Sequence, residues 1–219
     1  GYTIQMSLDG TNYENKSSIE RTKNGLVYAR LIDKSGNVGS DATYNVNNID
    51  KDEPTASVTA SVSSIIATSA TINSITAADT GGSGISKVVW YYKNSKDSSY
   101  TYLDQQAGNS SNSVSVSSKS LNLEDSKTYN ILVEVYDVAG NRGTATTTIT
   151  TKPAIAEYAS VKYTSITNAI SKVSGTGTVT MLKNTTENFS VPSNKSITLN
   201  LNNKTVTVGS GTISNAGTL

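Results

Sequence analysis

Oxygen ligands are the only metal-binding chemistry this sequence offers. It holds 17 Asp and Glu residues but neither Cys nor His. That removes thiolate and imidazole metal sites, disulfides, and any nucleophilic mechanism with histidine as its base. The densest acidic run, Asp50, Asp52 and Glu53, falls in Ile49-Asp-Lys-Asp-Glu-Pro54. Carboxylates grouped between two folded units suit a hard cation such as calcium, which would stiffen the junction. Asp79, in Asp-Thr-Gly-Gly-Ser-Gly84, and Asp41 are further candidate ligands. The competing reading is a solvated linker that Lys51 partly neutralises, because no complete ligand set of the EF-hand kind is present.

The remaining reactive residue types do not form a second site. Asp33-Lys-Ser-Gly-Asn37 and Asp137-Val-Ala-Gly-Asn141 each lie between two alternating stretches. Both read as tight hairpin turns, in which Gly and Asn tolerate positive φ and the carboxylate accepts backbone amides. One Asp and one Asn fall far short of a calcium shell. The glycines after Asp79 lack the Lys-Ser/Thr ending and the following helix of a phosphate loop. Glycoside hydrolysis needs two nearby carboxyls, and from residue 153 onward only Glu157 and Glu187 occur, far apart in the chain. No catalytic residue, no cofactor and no enzymatic activity are therefore expected. Trp90 reads as core, and Tyr91, Tyr100 and Tyr102 as cross-strand packing in preference to a sugar-stacking strip.

The elements that must position these residues are strands. Hydrophobic residues make up 35% of the 219 and charged residues 16%, with a formal net charge of +1. Val, Ile, Thr and Tyr are abundant, which favours β-structure with polar outer faces over disorder. Near-neutral charge gives no reason to expect nucleic acid, and no apolar run approaches the roughly 18 residues of a membrane span. Pro54 and Pro153 mark changes of composition and read as linkers. Between them, Ser57–Val62, Ala70–Ile72, Val88–Tyr92, Val114–Val116, Tyr129–Val135 and Thr144–Thr150 alternate as short strands of a β-sandwich.

An internal repeat underlies that pattern. Tyr28 to Gly39 matches Leu132 to Gly143, placing Asp33 and Asp137 in equivalent positions 104 residues apart, about one sandwich domain. The second copy has some thirty residues, Pro54 through Ser86, ahead of its matching strand, and the first has essentially none. Residues 1–50 thus read as the C-terminal part of a sandwich, and 51–153 as a complete one. The opening Tyr2-Thr-Ile-Gln-Met6 looks like mid-strand, so the chain reads as a piece of a longer protein. Past Pro153, Ile166, Ala169, Ile170 and Val173 form one helical stripe, with Thr164 or Ser165 as cap and Gly175 as stop. Short strands separated by Asn, Gly and Ser turns follow and suit the rungs of a parallel β-helix.

Leu123-Glu-Asp-Ser-Lys-Thr-Tyr129 running into Asp137-Val-Ala-Gly-Asn141 resembles the tyrosine-corner region of bacterial immunoglobulin-like and fibronectin type III-like repeats. Gly82-Ser-Gly-Ile85, Ser7-Leu-Asp-Gly10 and the linker Asn48–Pro54 are similar to motifs of the same repeats. Tyr163 to Ile170 resembles the cap helix of right-handed β-helix domains related in fold to pectate lyases, and Ile197–Val206 and Gly211–Leu219 resemble first rungs. The lyase active-site residues have no counterpart, so that activity does not carry over. The fold expected is all-β: tandem immunoglobulin-like sandwiches, the first incomplete, then a cap helix and the first rungs of a parallel β-helix over 154–219. The resemblance implies a non-catalytic stalk or adhesin of a bacterial cell-surface or secreted protein. It would be extracellular and monomeric, without membrane insertion in this stretch, and would bind a host or polysaccharide ligand. Two alternatives stand beside it: the non-catalytic portion of a secreted polysaccharide-degrading enzyme, and a calcium-stiffened spacer with ligands Asp50, Asp52, Glu53 and Asp79.

Overall fold

The computed structural model describes residues 1–219. The first unit is one antiparallel sheet of β1 (Tyr2–Ser7), β2 (Glu14–Asn15), β3 (Gly25–Asp33) and β4 (Ala42–Val46), in the order β2-β1-β3-β4. The second unit has β5 (Thr55–Val62), β6 (Ser69–Ala78), β7 (Ile85–Asn94), β8 (Thr101–Ala107), β9 (Ser113–Val116), β10 (Lys119–Asn122), β11 (Thr128–Asp137) and β12 (Arg142–Thr150). They form two sheets, β10-β6-β5 with β9 also on β6, and β12-β11-β7-β8.

Alternation explains why these sheets face each other. Val88 and Trp90 of β7 and Ile131, Val133 and Val135 of β11 project to one side and are completely buried. They meet Ala70, Ile72, Ile75 and Ala77 of β6, so each sheet hides its apolar face in the other. Outward positions of β5 and β6 carry hydroxyls instead, joined across the strands as Ser57 to Thr76 at 2.6 Å and Thr59 to Ser74 at 2.9 Å. The tyrosine corner forms: the Glu124 N–H donates to the Tyr129 hydroxyl at 3.0 Å. Trp90 lies in this core, and Tyr91 and Tyr102 meet edge to face with centroids 6.1 Å apart.

The third unit begins with β13 (Ala156–Tyr158), β14 (Val161–Tyr163) and helix α1 (Ile166–Lys172). Ser165 caps the helix by accepting the Asn168 N–H. Glu187 takes the Ile166 and Thr167 amides on its two oxygens at 2.9 and 3.0 Å. Then come β15 (Thr176–Met181), β16 (Thr185–Thr186), β17 (Ser190–Val191), β18 (Ser196–Asn200), β19 (Val206–Thr207) and β20 (Ser214–Asn215). Their three pairings with one another, β15–β18, β16–β19 and β17–β20, are parallel, while β15 also pairs antiparallel with β13. Ile166, Ala169 and Ile170 of α1 bury against Val179, Met181 and Ile197.

The loop after β5 ties the second unit to the third. Ile66 bridges Tyr163, the Ala67 N–H donates to Lys162 O at 2.8 Å, and the Thr164 N–H donates to Ile65 O at 2.9 Å. Asp125 accepts the Ala154 N–H at 3.1 Å and the Lys183 ammonium at 3.0 Å. No helix is long and apolar enough to cross a membrane.

Candidate metal centre

Three segments distant in sequence meet at the junction between the first and second units. Asp50 comes from the linker, Asp79 from the loop between β6 and β7, and Asp137 from the end of β11. One carboxylate oxygen from each lies within 4.8 Å of the others. Asp79 is 1% exposed and Asp137 is 2% exposed.

Each carboxylate is fixed by local chemistry. Asp137 opens the β11–β12 hairpin: its Oδ1 accepts the Asn141 N–H at 2.7 Å and its Oδ2 the Asn141 side-chain amide at 2.8 Å. Gly140 supplies the positive φ of 96° that the turn needs. Asp79 accepts the Gly84 N–H on Oδ2 at 2.6 Å, and no hydrogen bond reaches its Oδ1. Gly82 passes so close to the Asp79 carboxylate that a Cβ there would collide with it. Asp50 is clamped by the Ser83 N–H at 2.7 Å and the Asp52 N–H at 3.1 Å. The Ser83 N–H and then the Ser83 side chain, with smaller help from the Asp52 N–H and the Asp137 side chain, hold the Asp50 carboxyl below its ordinary pKa, so it stays charged at neutral pH. The linker backbone is held from both units: Asn24 pairs with Ile49 through N–H and C=O at 2.8 and 2.9 Å, and Asn141 donates to Asp50 O at 3.3 Å.

No basic group neutralises the cluster; the five ion pairs of the chain use other acids. Two buried carboxyls side by side without a basic partner normally require a counter-charge or share a proton. An oxygen-only donor set selects a hard cation, calcium or magnesium, over the transition metals. A cleft of about 350 Å³ lined by Asn24, Asn48, Asp50, Gly82 and Ser83 opens beside the cluster.

Of the ligands expected from sequence, Asp50 and Asp79 converge here. Asp52 and Glu53 do not: both are exposed, and Asp52 contributes only its amide, to Asp50. Asp41 is exposed in the first unit, away from the junction. The third member, Asp137, reads from sequence as a turn residue. It fills that role and the cluster together, because the turn takes its hydrogen bonds and leaves its charge uncompensated. Its equivalent Asp33 makes the same turn, accepting the Asn37 N–H at 2.9 Å and the Asn37 side chain at 2.8 Å, without acidic neighbours.

No family model matches the chain, and no curated protein matches it. Among solved structures it is similar to a run of titin domains (15% identity, 69% of this chain and 55% of that one, TM-score 0.37). It is also similar to the chicken CNTN1 FN1–FN3 domains (15% identity, 70% and 56%, TM-score 0.35). A third is the chicken interferon gamma receptor alpha chain (10% identity, 69% and 85%, TM-score 0.34). The chain spans about half the length of the titin and CNTN1 segments. At such TM-scores the likeness adds nothing to the sandwich already defined by strand pairing.

Proposed function

We propose that this chain is a non-catalytic structural segment of an extracellular surface protein, in which a divalent cation, calcium by preference, locks one sandwich unit to the next. The observation that carries the reading is the meeting of Asp50, Asp79 and Asp137 without a basic partner. Binding there joins the linker to two loops of the second unit, so it stiffens the connection between repeats. Extracellular calcium is millimolar, and modules of that compartment bind it in the 10⁻⁴ to 10⁻³ M range, matched to a site of three carboxylates completed by carbonyls and water. The second part of the proposal is that the third unit is the cap and first coils of a parallel β-helix. It is supported by Thr176 aligning with Ser196, Thr185 with Val206 and Ser190 with Ser214, three parallel pairings at similar steps along the chain. Such a coil presents a long lateral surface suited to a host or polysaccharide ligand.

Thermal melts of the whole chain test the cation reading. Millimolar calcium should raise the midpoint by about 1 to 5 °C over excess EGTA. The Asp79→Asn chain should show no such rise. Coincident wild-type melts with and without EGTA would refute the reading.

A further inference from the structure

Asn24-Gly25 is the one Asn-Gly step in the chain, and the fold has a use for both residues. Asn24 lies just ahead of β3 and faces the linker. Its Nδ2 donates to Ile49 O at 2.9 Å, and its Oδ1 accepts the Ile49 N–H at 2.8 Å. A side-chain amide carries a donor and an acceptor side by side, so it pairs with a peptide group as a neighbouring strand would; a carboxylate only accepts. Asn24 is the one side chain of the first unit that hydrogen-bonds the linker.

Gly25 has a φ of 143° and runs against Arg21, whose guanidinium would collide with a Cβ there. Arg21 is held in that space by donating to Leu8 O, Asn24 O and Leu26 O at 3.3, 3.2 and 2.9 Å. Without a Cβ, the Gly25 backbone nitrogen is open to close approach by the side chain before it. Asn24 is exposed and lines the cleft that Asp50 and Ser83 also line.

We propose that Asn24 is a site of spontaneous deamidation, that the reaction releases the first unit from the linker, and that the closed junction holds it back. The Gly25 backbone nitrogen attacks the Asn24 Cγ. A bond forms between these atoms, the bond from Cγ to Nδ2 breaks, and ammonia leaves with the proton of the Gly25 N–H. Water then opens the five-membered imide at either carbonyl, which gives aspartate or isoaspartate and one proton. Neither product can donate to Ile49 O. The new carboxylate sets a negative oxygen where the Nδ2 donor stood and adds charge to the cleft beside Asp50. The two bonds to Ile49 also control the rate. While they hold, the amide is turned to the linker, so the junction must open before Cγ can reach Gly25.

This proposal stands apart from the junction cation, and its test runs in excess EGTA. The full chain is kept in mildly alkaline buffer, folded or in urea, and peptide mapping follows residue 24. Asn24 should deamidate in the folded chain at least about threefold more slowly than in the unfolded one. Ile49→Pro, which deletes the N–H that Asn24 accepts, should bring the folded rate to within about twofold of the unfolded rate. Asn24→Asp, which installs the product charge, should speed hydrogen exchange of the Ile49 amide at least about tenfold. An Asn24 that stays intact in the folded chain after the unfolded chain has reacted to completion would overturn the site. Equal folded and unfolded rates, or no response to Ile49→Pro, would overturn the control by the junction. Unchanged Ile49 exchange in Asn24→Asp would overturn the release.

Discussion

Asp79 is the most constrained acid in the molecule: buried, bonded through one oxygen only, and beside the equally buried Asp137. Asn in its place keeps an acceptor for the Gly84 N–H and removes one negative charge. Without calcium, the Asp79→Asn chain should therefore melt no lower than wild type, whereas most buried polar substitutions destabilise. An apo midpoint several degrees below wild type would mean that charge repulsion is not what this residue contributes. Asp52→Asn, changing an exposed side chain outside the cluster, should leave the calcium response intact. At this scale the sequence is half legible. The Asp-x-x-Gly-Asn turn can be read because all its partners lie within four residues. The meeting with Asp50 cannot, because Asn141 and Asp50 stand 91 positions apart when they touch. Acid density pointed to Asp52 and Glu53, but consecutive linker side chains diverge, and the turn at Asp50 uses the Asp52 backbone instead.

Strands and the helix were the most legible elements, since alternation and a 3.6-residue stripe are local properties that burial enforces. Of the two cap candidates, Thr164 and Ser165, the structure uses Ser165, and Trp90 lies in the core as its alternating strand predicts. The tyrosine corner joins two elements of the sandwich. Tyr129→Phe should destabilise the second unit by about 1 kcal/mol in chemical denaturation, because the Glu124 N–H loses its acceptor. The contact between second and third units is not legible in the sequence, because the loop Ser63 to Ala67 that builds it meets Thr164 100 positions away. Asp125 is the charged part of that contact. Burial opposes its ionisation, but the Ala154 N–H and the Lys183 ammonium outweigh burial, so its folded pKa lies below the ordinary 3.8. A depressed carboxyl stabilises above the unfolded value and loses that contribution as pH falls through the folded one. Wild type should thus exceed Asp125→Asn in midpoint at neutral pH, and the two should converge in melts as the buffer drops below 3.8.

Across the whole molecule, the two junctions of the second unit are held by different means. One side uses backbone bridges, Ile65 and Ile66, and an ion pair; the other brings three acids together and leaves their charge to be balanced from outside. On the proposed cation reading, the first junction responds to divalent ions and the second does not. Isothermal titration of calcium into the intact, chelator-treated chain tests this most directly. The account predicts one site per chain with an affinity in the range of about 10⁻⁴ to 10⁻³ M, abolished in Asp137→Asn and retained in Asp125→Asn. Absence of saturable binding at millimolar calcium, or binding that survives Asp137→Asn, would contradict it.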